Sequence, residues 1–200
     1  MEPFKNHKGL VVPLDRANVD TDQIIPKQFL KLIQKSGFGK YLFYDWRFDA
    51  SGKEKPDFVL NNPAYKGASI LLTRGNFGCG SSREHAVWAL ADYGFKGIVG
   101  QKPFADIFYN NCIRNGVLPI ALSDPEVDAI FGELGSKSGY ELDIDLERQT
   151  VTRPMGEKYH FEIDGYAKNL LSEGLDEIGL TLKFSQKIDE FESKTGRSRS

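Results

Sequence analysis

Apolar residues recur along this chain in short blocks separated by glycine, proline and acidic turns, and the blocks switch between two periods. Residues 7–14, HKGLVVPL, are a short apolar run bounded by polar residues and predict a first strand. The segment NVDTDQIIP at 18–26 sets three short acceptors ahead of Pro26. It reads as a turn into a helix, because Asx side chains bond their own backbone and proline suits the first helical position. Residues 26–33 follow as helix, with Phe29, Leu30 and Ile33 on one side. After a Gly-containing loop at 35–40 comes an aromatic patch, YLFYDWRF at 41–48, of the kind that forms core or interface. Residues 49–66 carry few apolar residues and include Pro56 and Pro63, which predicts a surface excursion.

From there the pattern turns regular. GASILLT at 67–73 is a buried strand running straight into a glycine-rich stretch, RGNFGCGSSREHAVWAL at 74–90. A helix is expected from Ser82 to about Tyr93, with Gly94 as its C-terminal stop. A short strand at 97–100 precedes a helix at 104–115, where Phe104, Ile107, Phe108 and Cys112 stand at helical spacing, and a strand at 117–122. Strand and helix alternating in this way predict an α/β arrangement around a mixed, mostly parallel sheet with flanking helices. The helix at 124–134 opens on Ser123, Asp124 and Pro125. The strand at 140–146 puts Leu142, Ile144 and Leu146 on one face. Segments 149–153 and 158–163 complete an antiparallel meander, and a helix at 165–173 stops at Gly174. Residues 175–182 return to the body, 183–194 read as a charged exposed helix, and 195–200 as a fraying end. With no internal repeat or linker, residues 1–200 are expected to form a single domain.

Composition narrows the partners. The chain has 200 residues, 40% of them apolar and 27% charged, which is ordinary for a globular protein with a sizeable core. A net charge of −2 speaks against a nucleic-acid or membrane-surface binder. No apolar run approaches the ~18 residues that a membrane span needs, and the first residues do not open a signal peptide. Two cysteines, Cys79 and Cys112, argue against a disulfide scaffold and for a reducing, cytoplasmic setting. Those two cysteines and three scattered histidines (His7, His85, His160) do not supply the thiolate set of an iron–sulfur cluster or the spacing of a zinc site. If the chemistry needs a cluster, another chain must bring it.

Candidate chemistry concentrates at 74–90. Gly75, Gly78 and Gly80 permit sharp turns and close approaches, and they deliver Ser81, Ser82 and Arg83 to a helix N-terminus, where free N–H groups favour an anion. The bland alternative is that Ser81 and Glu84 make a Ser-x-x-Glu capping box. The stretch has no G-x-S-x-G hydrolase elbow, no Walker lysine and no third glycine of a dinucleotide fingerprint. Spacing alone marks an anion site, not a reaction. Asp20 and Asp22 read as turn formers and caps, or as carboxylates orienting a neighbouring Arg or His. Arg47 either stacks locally or faces a substrate carboxylate. His85, one turn from Ser81, has no acid partner placed by sequence and reads as an orienting or structural residue more readily than as half of a serine–histidine pair. Cys112 belongs to the core; Cys79 either packs or is a low-pKa thiol at a helix N-terminus.

Four stretches carry a resemblance: NVDTDQIIPKQFL at 18–30, FGCGSSREHA within 74–90, FADIFYNNCIRNGVLPI at 104–120 and GLDEIGLTL at 174–182. Together they resemble the small subunits of 3-isopropylmalate dehydratase (isopropylmalate isomerase), the detached swivelling domain of the aconitase superfamily. That resemblance implies a β/β/α swivelling barrel and a heterodimer with a large subunit that carries a [4Fe–4S] cluster. It implies conversion of 2-isopropylmalate to 3-isopropylmalate through isopropylmaleate, a step of leucine biosynthesis. By motif, Ser81 is the base for the carbon-bound proton, Arg83 grips a substrate carboxylate and Asp22 takes the place of an active-site acid. Thr21, Ser82, His85 and Arg47 are the further substrate-binding candidates, with a loop inside 29–66 reading the isopropyl group. The alternatives are a sister hydro-lyase subunit (homoaconitase, citraconate or dimethylmaleate hydratase), a non-catalytic anion-binding module, and a stand-alone serine hydrolase.

Overall fold

The computed structural model describes residues 1–31, 36–135, 139–175 and 179. Its frame is one mixed sheet. Strand β1 (Asn6–Leu14) lies at the centre. On one side it pairs in parallel with β2 (Ile70–Thr73), which pairs in parallel with β3 (Gly97–Gln101), and that with β4 (Leu118–Leu122). On its other side β1 pairs antiparallel with β5 (Glu141–Asp145), followed by β6 (Thr150–Thr152) and β7 (Lys158–His160), so the order is β4-β3-β2-β1-β5-β6-β7. The predicted meander therefore extends the parallel sheet across β1.

Successive residues of a strand face opposite sides, so the sheet divides the interior in two. Val12, Leu14, Leu71 and Ile98 pack with Ile24, Phe43, Leu90 and Phe108. Val11, Ile70, Leu72, Val99 and Ile120 pack with Leu142, Ile144, Val151 and Leu170, and Tyr159 lies against the same cluster. Side chains from both ends of the strand order meet in that second core, which requires the sheet to curl into a nearly closed barrel. The expected barrel of mixed sheet and flanking helices is the fold observed.

Helix α1 (Thr21–Ile24) starts earlier than the pattern predicted and ends before Pro26. Asp20 and Gln23 close a reciprocal capping box that sets its first turn, while Pro26 holds Ile25 extended and ends it. Residues Lys27–Lys31 then form a 3-10 turn in place of the expected helix; Ile33 lies outside the described residues. In the aromatic patch, Leu42 and Phe43 are fully buried around helix α2 (Tyr44–Arg47). The excursion after it returns Phe58 and Leu60 to the core.

Helices α3 (Glu84–Tyr93) and α4 (Asp106–Arg114) follow β2 and β3 as crossovers. Helix α5 (Asp124–Leu134) follows β4, and α6 (Gly165–Glu173) follows β7, stopping at a left-handed Gly174. The segments expected at 180–200 lie outside the described residues. Among the described residues no helix is long and apolar enough to cross a membrane.

Candidate active site

Parallel α/β sheets present ligands beyond the carboxyl ends of their strands. The chain leaving β1 and the chain leaving β2 stay paired past those ends. Asn18 N donates to Gly75 O at 3.0 Å, Gly78 N to Val19 O at 2.8 Å, and Thr21 N to Cys79 O at 2.9 Å. The base is pinned by Arg74, which lies over the Phe131 ring at 4.1 Å and ion-pairs with Asp15 at 2.5 Å and with Asp128. At Gly78 the backbone is left-handed (φ +78°), and a Cβ there would sit 2.1 Å from Cγ of Phe108. Gly80 has φ +92°. Side chains at such angles cost about 1–2 kcal/mol, so glycine is required to bring this loop against α4.

This pairing fixes the loop's end. The Thr21 hydroxyl donates to the Ser81 carbonyl at 3.1 Å, and the Arg83 amide donates to the same oxygen at 2.7 Å. Helix α3 begins at Glu84, two residues later than predicted, with Arg83 as an extended N-cap lacking a side-chain cap bond. The Ser81–Glu84 capping box does not form. The Glu84 carboxylate instead accepts from Asn115 Nδ2 at 3.0 Å, and Asn115 Oδ1 accepts from Trp88 Nε1 at 3.1 Å. Ser81 and Ser82 are exposed, and neither their hydroxyls nor their amides have a hydrogen-bond partner among the described residues.

Arg83 is folded in, its side chain 16% exposed, and one of its terminal nitrogens ion-pairs with Asp22, which Lys27 Nζ also approaches at 3.5 Å. Asp22 reaches it because the Asp20–Gln23 box starts α1 at Thr21 and places Asp22 second in the helix. The remaining guanidinium donors have no partner among the described residues. Thr21, Gly78, Gly80, Ser81, Ser82 and Arg83 form one wall of a pocket of about 230 Å³. The first turn of α4, from Ala105 to Phe108, and Asn111 form the other. The arrangement can hold an anionic group between a guanidinium and unpaired amides, beside a free hydroxyl.

Of the residues the sequence singled out, Ser81, Ser82, Arg83, Thr21 and Asp22 are brought together; Arg47 and His85 are not. Arg47 is 8% exposed and turned into its own segment. Its Nε donates to Asn61 Oδ1 at 3.2 Å, its guanidinium lies over the Phe48 and Tyr93 rings, and it borders a different depression. Packing of the aromatic patch takes it away from the serine pocket. The His85 ring packs against Trp88 (4.6 Å between centroids) and Phe38 (5.5 Å), on the side of α3 that faces the aromatic core. Burial and the nearby charge of Asp20 push the Cys79 thiol up, so the reactive-thiol reading of that residue falls. Asn111 was missed. It is buried, and its signal was present: a polar residue three positions after Phe108 and next to Cys112, on the apolar side of α4.

Comparison with known proteins gives the family. A family model described as the aconitase C-terminal domain matches residues 1–125, and a second, described as LeuD_N, matches residues 128–165. A 3-isopropylmalate dehydratase small subunit of Brevibacillus brevis is 56% identical over 97% of this chain and 100% of its own length. The chain belongs to this family. A small subunit of the same name from Leptospira interrogans is also 56% identical, over 97% of this chain and 95% of its own. The crystal structure of a 3-isopropylmalate dehydratase from Methanocaldococcus jannaschii superposes with a TM-score of 0.65 at 26% identity, covering 95% of this chain and 99% of that one.

The donors present do not fit an iron–sulfur cluster. The chain has two cysteines, fewer than the four thiolates a [4Fe–4S] cluster takes, and one of them, Cys112, is fully buried in the core. Among the described residues no three His, Cys, Asp or Glu side chains are grouped to hold a metal ion.

Proposed function

We propose that this chain is the small subunit of 3-isopropylmalate dehydratase, acting in the cytoplasm on the leucine-biosynthetic conversion of 2-isopropylmalate to 3-isopropylmalate. It works as a heterodimer with a large subunit. Departure of the hydroxide needs a Lewis acid, and the family resemblance assigns that group, a [4Fe–4S] cluster, to the large subunit. The part taken by this chain is proton transfer and orientation.

Ser81 Oγ takes the carbon-bound proton in one direction and returns it in the other. A serine hydroxyl is a weak base, and its alkoxide is a strong one whose charge must be stabilised. The unpaired amides at 81 and 82 and the positive end of α3 lie next to it. When the large subunit closes over the pocket and excludes water, each oriented donor gains strength; loss of one typically costs about 3 kcal/mol, roughly a hundredfold in rate. Arg83, steadied by Asp22, offers its free N–H groups to a substrate carboxylate. The observation that carries the proposal is the partnerless Ser81 hydroxyl beside a guanidinium already fixed by a carboxylate.

The test is reconstitution with a cluster-bearing large subunit and assay of 2-isopropylmalate against citraconate and homoaconitate. The isolated chain is expected to be inactive, and the assembled enzyme to prefer 2-isopropylmalate. Ser81→Ala is expected to lower kcat about 10²- to 10⁴-fold, the range for a general base. Full turnover by the isolated chain, or an unchanged rate in Ser81→Ala, overturns the proposal.

A further inference from the structure

Asn111 is 8% exposed, lies on the pocket-facing side of α4 and has a side chain that no described residue engages. Its backbone carbonyl is fully occupied, accepting from Asn115 N at 3.1 Å and from Asn115 Nδ2 at 2.9 Å. Its carboxamide is a different matter: two donors and one acceptor, without a protein partner among the described residues, on a residue that is otherwise buried and lines the pocket. Asn115, one turn on, shows the ordinary outcome, its side chain bonded to Trp88, Glu84 and the Asn111 carbonyl. A carboxamide held without a protein partner on a buried residue at a pocket wall is placed to meet a ligand entering that pocket.

The rest of that wall defines the ligand. Ala105 is the N-cap of α4 and offers no side-chain acceptor, so the amides of residues 106–108 have no partner among the described residues. The carboxamide N–H and these amides are all donors, and the helix end adds a positive dipole. Asp106, in the same turn, is exposed to solvent, where its charge is screened, whereas Asn111 is not. Backbone donors, the carboxamide N–H and a positive helix end together favour an anionic oxygen, although the wall also carries the Asp106 carboxylate and the Asn111 side-chain carbonyl oxygen. Arg83, on the facing wall, accounts for one carboxylate, and a malate-type substrate has two.

We infer that Asn111 is a substrate-contact residue: its carboxamide N–H donates to the second carboxylate of the dicarboxylate whose proton Ser81 moves. This rests on the reading of the serine pocket given above. It makes the α4 wall a determinant of recognition, separate from the proton-transfer group.

The experiment measures initial rates against 2-isopropylmalate in the reconstituted two-subunit enzyme, with the large subunit titrated to saturation, for Asn111→Ala, Asn111→Asp and Ser81→Ala. Loss of a hydrogen bond to a charged group is worth about ten- to hundredfold, so Asn111→Ala is expected to raise KM by that factor with kcat within about threefold. Asn111→Asp, nearly isosteric, is expected to raise KM further, and to recover part of it as the pH is lowered and the new carboxylate protonates. Ser81→Ala has the opposite profile, a fall in kcat. Values of KM within about twofold of wild type in both Asn111 variants, with Ser81→Ala inactive, overturn this inference and leave the serine reading standing. An active Ser81→Ala enzyme overturns the serine reading instead. Weakened subunit association or a lowered melting temperature, with KM unchanged at saturating large subunit, makes Asn111 structural and also overturns the inference.

Discussion

Residues 81–84 and 123–126 carry the same spacing, Ser-x-x-Glu, ahead of helices of similar length, and they end in opposite states. At the start of α5 the Glu126 carboxylate accepts from the Ser123 amide at 2.8 Å and from the Ser123 hydroxyl at 2.6 Å, so the serine is consumed by the helix it precedes. At the start of α3 the Glu84 carboxylate goes to Asn115, Arg83 takes the N-cap position, and Ser81 stands free. The motif is the same; the neighbours differ. Pro125 stands in the first turn of α5 right after Ser123, whereas Gly78, Gly80 and the bond from the Thr21 hydroxyl to the Ser81 carbonyl pull Ser81 out of register with α3. A serine left without a cap, beside unpaired amides, is a group withheld from stabilising the fold and available to a ligand.

Substituting both serines sharpens that contrast. Ser81→Ala carries the largest effect, the loss of turnover described above, and its melting temperature is expected to match wild type because the hydroxyl has no hydrogen-bond partner among the described residues. Next comes Asp22→Asn, which leaves Arg83 in place without its charged partner. A charge-assisted hydrogen bond is worth about 1.5–3 kcal/mol, so a ten- to hundredfold fall in kcat/KM of the assembled enzyme is expected from steady-state rates. Ser123→Ala is the mirror image of Ser81→Ala: about 1 kcal/mol lower stability in urea unfolding and unchanged kcat and KM. Loss of activity there, or loss of stability in Ser81→Ala, breaks the comparison.

The smallest effect belongs to β1, away from both serines. His7 is partly buried against Ser69 Oγ at 2.7 Å; burial and the Lys96 charge lower its pKa below the ordinary 6.5. The unfolded chain therefore takes up a proton on His7 before the folded one does as pH falls. This contribution to stability is complete above the unfolded value and is lost on acidification through it. Urea midpoints measured from about pH 8 to about pH 5 are expected to fall more steeply in wild type than in His7→Gln.

Much of the frame was legible. β2 runs Ile-Leu-Leu-Thr and lies buried on both faces, α5 opens on its serine and proline, and α6 ends on the glycine expected to stop it. These features depend on periodicity and local chemistry, which neighbours in the sequence carry. At the site, Ser81, Ser82 and Arg83 were visible as an unusual accumulation of small and polar residues, and Asp22 as one of two candidate carboxylates. Errors arose where a local rule met a distant constraint. Pro26 ended a helix it was expected to begin, because the Asp20–Gln23 box had already set the register of α1. For Arg47 the sequence left two readings, local stacking or a substrate carboxylate, and the fold takes the first: Asn61 and rings that packing brings over it hold the guanidinium.

Strand and helix order, the two-faced character of the sheet and the glycine loop with its hydroxyls and guanidinium all follow from short-range pattern, since each depends on side-chain period or backbone freedom within a few residues. Which serine caps and which stays free, which arginine faces the pocket, and that Asn111 ends up beside Ser81 and Arg83 depend on contacts between residues far apart in the chain. Those contacts form when β1 and β2 continue side by side beyond the sheet and a bare glycine lets Phe108 approach. No local pattern encodes that approach, because it exists only once the barrel has closed.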